Sequence, residues 1–211
     1  MIMEDTMETN VRDKISSAYR LIMWGILLTA AHIQVPILGR VYQILPMFIG
    51  HIMIVVGLTR LVNDAAIEYF ADSLKSAKMV LIASVIFWVW SAFIFPYTNV
   101  LTGCIELFVF VLEIALLGEF LNKTVKLLKE NEKEKLADKT RKNRMSFIKF
   151  YLGVMLVFAI ALVPKLSIIK VYAAPTLMLS VKIFLSLIVQ NVARCQVEYK
   201  KREVDENAIN S

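Results

Sequence analysis

Six long apolar runs are the feature that most constrains how this chain can fold. Crossing a bilayer takes about 20 predominantly apolar residues, because a helix rises about 1.5 Å per residue through a hydrocarbon core roughly 30 Å thick. The runs cover residues 21–38, 44–62, 79–97, 100–121, 147–164 and 172–193. Because 58% of the 211 residues are hydrophobic and clustered in these runs, no room is left for a separate soluble domain. The sequence therefore predicts an all-α fold, a bundle of six transmembrane helices.

Basic residues are distributed unevenly between the two sides of this predicted bundle. Twenty of the 24 lysines and arginines fall in the N-terminal tail, in segments 60–78 and 122–149, and in the C-terminal tail. The opposite side carries Arg40, Lys165 and Lys170. Cytoplasmic loops carry such an excess, so both termini are predicted to be cytoplasmic. The net charge of +6 follows from this topology, and we do not expect nucleic-acid binding.

Outside the spans the chain divides into two tails and two long inner loops. The tails are residues 1–20 and 194–211, and residues 21–193 form the membrane domain. The second long loop, 122–146, is dense in charge, which predicts an extension of the fourth span that frays into a basic linker. Basic segments of this kind are candidates for contact with anionic lipid.

The first long loop, residues 63–78, carries four apolar residues at helical spacing. These residues are Ile67, Phe70, Leu74 and Ala77. One apolar face on an otherwise polar segment predicts a short amphipathic helix lying on the cytoplasmic leaflet.

Short outer connections and long inner ones group the spans into three helical hairpins, each with proline at its outer turn and asparagine at its inner boundary. The prolines are Pro36 and Pro46, then Pro96, then Pro164 and Pro175, and the asparagines are Asn63, Asn122 and Asn191. Two explanations stay open: three tandem copies of one hairpin, or three hairpins fitted to the same bilayer thickness. The first matters because repeat interfaces in transporters often contain the binding site.

The candidate site residues are the ionisable side chains inside the predicted spans. They are His32, His51, Glu106, Glu113 and Lys182. Placing Asp, Lys or Arg at mid-helix costs roughly 2.5–3.5 kcal/mol on insertion scales, so each such residue deserves a functional hypothesis. Counted from the outer ends, His32, His51 and Glu106 lie about 9 Å deep, whereas Glu113 and Lys182 lie about 15–20 Å deep. The sequence thus predicts an outer layer of two imidazoles and a carboxylate above a central layer where Glu113 and Lys182 pair.

Structural interpretations compete with functional ones at each of these positions. Either histidine can serve in packing alone, and Glu113 with Lys182 is either a bundle-locking ion pair or a substrate or proton site. Glu106 and Glu113 are seven residues apart, so they share a helix face and can both point into the bundle. Two histidines and one glutamate lack the spacing of a metal motif, so no metal or other cofactor is predicted.

Motifs for enzymatic chemistry are lacking in the sequence. It contains no HExxH, no GxSxG and no glycine-rich phosphate loop, so no catalytic residue is assigned. A Cys–His pair of Cys104 and His51 is a remote alternative for an intramembrane enzyme. Cys195 falls on the opposite side of the predicted membrane from Cys104, which rules out a disulfide between them.

The second predicted span contains a pattern typical of close helix packing. Gly50 and Gly57 are seven residues apart and lie on one face, where a neighbouring helix can approach closely. His51 lies beside this face, so we expect it to face protein rather than lipid.

The stretch "ILPMFIGHIMIVVGL" (44–58), following "LLTAAHIQVPILG" (27–39), resembles a pattern in small uncharacterised multipass proteins of Gram-positive bacteria. Those proteins are similar in pairing a first span with an "ILPxFIGxxxIxxGL" second span. The resemblance covers about 40 residues, roughly the first hairpin. It implies a bacterial plasma membrane location and no particular activity.

The sequence as a whole favours a non-enzymatic membrane protein that binds or transports a small solute. The alternative is an accessory or regulatory membrane subunit that acts through its cytoplasmic loops. The partners expected besides the lipid bilayer are another membrane protein or a second copy of the chain. A transport function predicts that Glu106, Glu113 and Lys182 line a cavity, whereas an accessory function predicts a closed, dry bundle.

Overall fold

The computed structural model describes residues 2–30, 34–37, 40–43, 46–94, 100–163 and 167–195. Six helices build the fold: α1 (Ile2–Ala30), α2 (Met47–Thr59), α3 (Ala71–Val89), α4 (Val100–Glu130), α5 (Glu134–Ile160) and α6 (Ser167–Arg194). The first two helices are joined through two short strands, β1 (Gln34–Ile37) and β2 (Arg40–Gln43). Further turns are π-helical at Arg60–Asp64, 3-10 helical at Glu68–Phe70, and π-helical at Trp90–Ile94. The predicted helical fold with six helices is confirmed, and the strand pair is a departure from it.

The helices pack as a closed ring in chain order. Each helix contacts the next one along the chain, and α6 contacts α1. Many large apolar side chains are exposed on the outside of the ring, among them Ile82, Ile86, Phe108, Phe150 and Leu156. An outer surface this rich in apolar side chains is unusual for a protein surrounded by water and is suited to lipid.

Five helical segments of the described chain are long and apolar enough to cross a membrane, which indicates a multipass membrane protein. They are Met47–Asp64, Glu68–Phe93, Val100–Glu130, Glu134–Ile160 and Pro175–Arg194. The predicted first span, 21–38, is not among them, because α1 ends at Ala30. Its apolar part from Leu21 to Ala30 covers about 15 Å, or half of a hydrocarbon core.

The strand pair explains why the first predicted span was wrong in its outer half. β1 and β2 pair antiparallel, from Gln34 opposite Gln43 to Ile37 opposite Arg40. Pro36 lies within β1; it has no backbone N–H and disfavours helical geometry in the residue before it. The helix therefore ends before the apolar run does, and hydropathy alone does not reveal the change from helix to strand.

The prolines predicted at outer turns occupy three different structural contexts. Pro46 immediately precedes α2, as predicted, and Pro36 is in a strand. Pro175 lies inside α6 rather than at its start, where neighbouring helices in a membrane bundle make a helical proline tolerable. Pro96 and Pro164 lie outside the described residues.

The segment 63–78 does not form a separate helix on the membrane surface. Its first half contains the 3-10 turn, and its second half forms the first two turns of α3. Ile67 and Phe70 are completely buried, and the Phe70 ring lies 5.9 Å from that of Phe120 on α4. The apolar face that the sequence showed therefore packs against protein instead of lipid.

The segment 122–146 extends α4, as predicted, but it does not fray into a linker. α4 continues to Glu130 and α5 begins at Glu134, so a tight turn joins two long helices. Glu132 adopts a left-handed backbone with φ 57°, and the Lys133 amide donates to the Leu128 carbonyl at 2.9 Å. Such bonds satisfy carbonyl groups that the helix end would leave free.

The glycines of α2 form a close seam with α1, which confirms the packing face predicted from their spacing. A Cβ atom added to Gly50 would lie 2.5 Å from the carbonyl oxygen of Gly25 and 2.6 Å from the amide nitrogen of Thr29. A Cβ added to Gly57 would lie 2.5 Å from Cγ1 of Ile22. The two backbones therefore touch at a distance that only glycine permits.

Candidate functional site

A buried ion pair lies in the interior of the ring. Lys182 on α6 places its Nζ 2.8 Å from Oε1 and 2.9 Å from Oε2 of Glu113 on α4. Both side chains are fully excluded from the surface. The predicted pairing of these two residues is confirmed, and it joins two helices that are not neighbours in the ring.

Two hydroxyl groups complete the hydrogen bonding of this ion pair. Lys182 Nζ also donates to Oγ1 of Thr29 at 2.7 Å, and the Thr29 hydroxyl donates a hydrogen bond to the carbonyl of Ile26 at 2.8 Å. On the other side, the Tyr151 hydroxyl donates to Oε2 of Glu113 at 2.6 Å. An ammonium group has three donors, so all the protons of Lys182 are used.

His51 is the member of the cluster whose hydrogen bonding is incomplete. Its Nε2 lies 3.4 Å from Oε1 of Glu113, which is long for a hydrogen bond. Within the described chain neither of its ring nitrogens has a hydrogen-bond partner, although the side chain is only 1% exposed. His51 faces protein, as predicted. The imidazole thus keeps free capacity to donate or accept a hydrogen bond next to a carboxylate.

The structure places His51 in the central layer with Glu113, not in an outer layer with Glu106. The depth count assumed that every span begins at the same level. Glu113 is 13 residues from the start of α4 at Val100, whereas His51 is only four from the start of α2 at Met47. Because the strand pair precedes α2, that helix begins about 13 Å deeper than α4, from nine residues at about 1.5 Å each.

Of the remaining predicted site residues, one is located and one is not. Glu106 is buried and lies two helical turns outward from Glu113 on the same face of α4, which confirms the predicted shared face. His32 lies outside the described residues. The central cluster, which we call the hub, is therefore Thr29, His51, Glu113, Tyr151 and Lys182.

Two hub residues were missed from the sequence. Thr29 and Tyr151 are hydroxyl side chains within apolar runs, and such residues are common in membrane helices without any special role. The relevant signal is weak: Thr29 is four residues from Gly25, so it lies on the face of α1 that meets Gly50. No comparable pattern marks Tyr151.

Aromatic side chains close the interior on both sides of the hub. On the inner side, the Tyr19 and Phe70 rings lie 5.6 and 5.9 Å from that of Phe120. On the outer side, Phe110 and Phe158 are in edge contact with ring centroids 5.5 Å apart. The charged groups therefore lie between two groups of packed aromatic rings.

The hub has no arrangement that matches a known metal or nucleophile site. Across the described part of the chain, no three residues among His, Cys, Asp and Glu are grouped so as to hold a metal ion. Cys104 is exposed, and it lies nine residues from Glu113 along α4, or about 13 Å away. The Cys104–His51 pair considered for an enzyme is therefore not formed.

Comparison with known proteins gives no relative from which a function could be inferred. No protein-family model, curated protein or solved structure matches the chain. Function is therefore argued from the chemistry of the hub, since a fold alone does not determine an activity.

Proposed function

We propose that this protein is a small-solute binding or transport component of a bacterial plasma membrane, and that the Glu113–Lys182 pair is its working site. The observation that carries the proposal is a fully buried carboxylate–ammonium pair inside a ring of apolar helices. Intramembrane charges of this kind are a default functional hypothesis, because they are expensive to insert and rare unless they serve a purpose.

A purely structural purpose does not require charges at these positions. Replacing a buried ion pair by well-packed apolar residues is often neutral or even stabilising by about 1–4 kcal/mol. Apolar side chains at 113 and 182 would also be easier to insert into a bilayer. Keeping both charges at 0% exposure is therefore better explained by chemistry that needs them.

The position of the hub in the bundle supports transport. Thr29 is the penultimate residue of α1, and His51 is the fifth residue of α2. The hub therefore lies where α1 ends and α2 begins. In many secondary transporters the substrate and coupling-ion sites likewise lie near mid-membrane at helix ends, there formed by helices that are broken within the membrane.

His51 supplies a route for coupling solute movement to protons. Its ring nitrogens lack hydrogen-bond partners among the described residues, so it can accept a proton without breaking an existing bond. A protonated His51 would compete with Lys182 for Oε1 of Glu113, which lies 3.4 Å from its Nε2. Weakening the ion pair in this way would give the hub two states, as alternating access requires.

The direction of insertion is part of the proposal. We infer cytoplasmic termini from the excess of Lys and Arg on the side of the tails and long loops. Five spanning segments lie among the described residues, so termini on the same side require one further passage through the membrane. The bacterial plasma membrane location rests on the resemblance of residues 27–58 to small Gram-positive multipass proteins.

Proton flux in reconstituted vesicles tests this function. Liposomes containing the protein and a pH-sensitive dye would be challenged with pools of amino acids, sugars, nucleosides, carboxylates or monovalent cations. We expect at least one pool to cause an internal pH change that Glu113→Gln abolishes. Glu119→Gln is the matched control, because Glu119 is on the same helix but only partly buried, and this variant should behave as the wild type.

An accessory role is the second candidate, and one observation favours it. No hub side chain is more than 1% exposed, which matches the closed, dry bundle expected of a subunit that acts through its loops. If no pool moves protons in the wild type, or if Glu113→Gln leaves the flux unchanged, the transport proposal fails and the accessory role is preferred.

A further inference from the structure

A second polar site lies outside the hub, at the end of the bundle that carries the basic loops. A cavity of about 370 Å³ opens between α1 and the π-helical turn that follows α2. It is lined by Asp13, Ser16, Ser17, Arg20, Leu21, Trp24 and Arg60. Its volume lies in the range of about 300–1,000 Å³ that small-ligand sites occupy, and it shares no residue with the hub.

The charges of this cavity suit a phosphate group. Arg20 and Arg60 face the same space, and NH1 of Arg60 is held by Oγ of Ser17 at 2.9 Å. Arg20 forms no hydrogen bond or ion pair with the described residues, so its donors are not used by that part of the chain. Arginine presents a planar fork that matches phosphate oxygens. With Asp13 as the one carboxylate, the lining has a net charge of +1, which a phosphodiester neutralises.

The position of the cavity along α1 points to a membrane lipid as the source of the phosphate. Leu21, directly after Arg20, and Trp24, one turn beyond it, form the apolar wall of the cavity where the apolar part of α1 begins. Trp24 is 55% exposed on the outside of the bundle. Tryptophan and arginine in this order are typical of the membrane–water interface. A ligand bound here therefore has its charged end on the arginines and its apolar end against the bilayer.

The backbone also widens at this point. Arg60 is the first residue of the π-helical turn Arg60–Asp64, and such turns occur often at functional sites. Arg60 itself is exposed, whereas Leu61 in the same turn is buried.

We propose that this cavity binds the headgroup of an anionic phospholipid from the leaflet on the basic side of the membrane. Arg20 and Arg60 hold the phosphodiester, Asp13 accepts a hydrogen bond from a headgroup hydroxyl, and Trp24 packs against the first methylene groups of an acyl chain. The site is specific to this seam between α1 and α2 and differs from the diffuse attraction of the basic loops to anionic lipid.

Quenching of tryptophan fluorescence by brominated lipid tests the proposal in the full-length protein. The protein would be reconstituted in phosphatidylcholine with increasing fractions of phosphatidylglycerol carrying brominated chains. The signal of Trp24 would be obtained by subtracting that of the Trp24→Phe variant. We expect phosphatidylglycerol to quench Trp24 at a much lower mole fraction than brominated phosphatidylcholine does.

Charge removal at the two arginines is the decisive variant. Arg20→Gln/Arg60→Gln should weaken the preference for phosphatidylglycerol at least about tenfold, as expected for lost hydrogen bonds to a charged group. Lys75→Gln/Lys78→Gln removes the same charge from exposed positions on α3 and should leave the preference unchanged. If the double arginine variant does not fold, Arg20→Gln alone suffices, since no described contact of Arg20 is lost.

Three outcomes would overturn the proposal. Equal quenching of Trp24 by both lipids in the wild type would show that the site does not select anionic headgroups. An undiminished preference in the arginine variants would assign it to other residues. Displacement of brominated phosphatidylglycerol by free glycerol phosphate at millimolar concentration would make a soluble phosphate ester the occupant instead of a lipid.

Discussion

A comparison of variants that lack one hub charge with a variant that lacks both shows whether the Glu113–Lys182 pair is needed for folding or for function. Lys182→Met leaves the Glu113 carboxylate fully buried, with the Tyr151 hydroxyl as its remaining close hydrogen-bond donor among the described residues. Breaking a buried ion pair by removing one partner costs about 3–5 kcal/mol, because the other charge is left uncompensated. We therefore expect Lys182→Met to lower the free energy of unfolding by about that amount.

The double variant Glu113→Gln/Lys182→Met should recover most of this loss. Neither charge then remains in the interior, and the introduced amide can still accept the hydrogen bond from Tyr151. We expect the double variant to lie within about 2 kcal/mol of the wild type, so that the two single losses exceed the double loss by roughly 4 kcal/mol or more.

Reversible unfolding in mixed detergent and dodecyl sulfate micelles, followed by tryptophan fluorescence, measures these differences. The exposed pair Lys75 and Asp72, with an N–O distance of 3.8 Å on α3, is the control; the same cycle there should give a coupling of about 0.2–1 kcal/mol. Additive losses at Glu113 and Lys182 would refute the reasoning. A double variant that folds but loses solute-driven proton flux would assign the charges to function.

Two further predictions use the same unfolding measurement. Gly50→Ala should lower the free energy of unfolding by about 1–3 kcal/mol or more, because its new methyl group would meet the Gly25 carbonyl. Gly153→Ala, with open space at that position, should instead raise it by about 0.5–1 kcal/mol. Equal effects at both positions would contradict the α1–α2 seam. Tyr151→Phe should cost about 1.5–3 kcal/mol, since it removes a donor to the Glu113 carboxylate, and an unchanged stability would mean that this hydrogen bond does not hold the hub.

The features that could be predicted from the sequence are those that depend on regular helix geometry. The apolar runs predicted five of the spanning segments, because hydropathy and length are local properties. The glycine spacing predicted the close face of α2, and the depth of Glu113 and Lys182 predicted their pairing. Each of these inferences needs a helix of constant rise and nothing about which helices are neighbours.

One error arose because a helix ends within an apolar run. His51 was placed too far outward because α2 begins deeper than α4, a difference that depends on the strand pair between α1 and α2. Ile67 and Phe70 were read as a lipid-facing surface, since periodicity shows that a face is apolar but not what covers it. Thr29 and Tyr151 were missed because a single hydroxyl in an apolar helix carries no distinctive pattern.

The wide separation of the hub residues along the chain has a consequence for how the protein is made. Lys182 follows Glu113 by 69 residues and Thr29 by 153. During synthesis the α4 carboxylate therefore enters the bilayer before the helix that carries its ammonium partner. Until α6 is inserted, the early helices carry an unpaired polar group that costs a few kilocalories per mole. α6 is the last of the six described helices to be made, so closure of the ring and neutralisation of its interior become a single event that follows insertion of the other five.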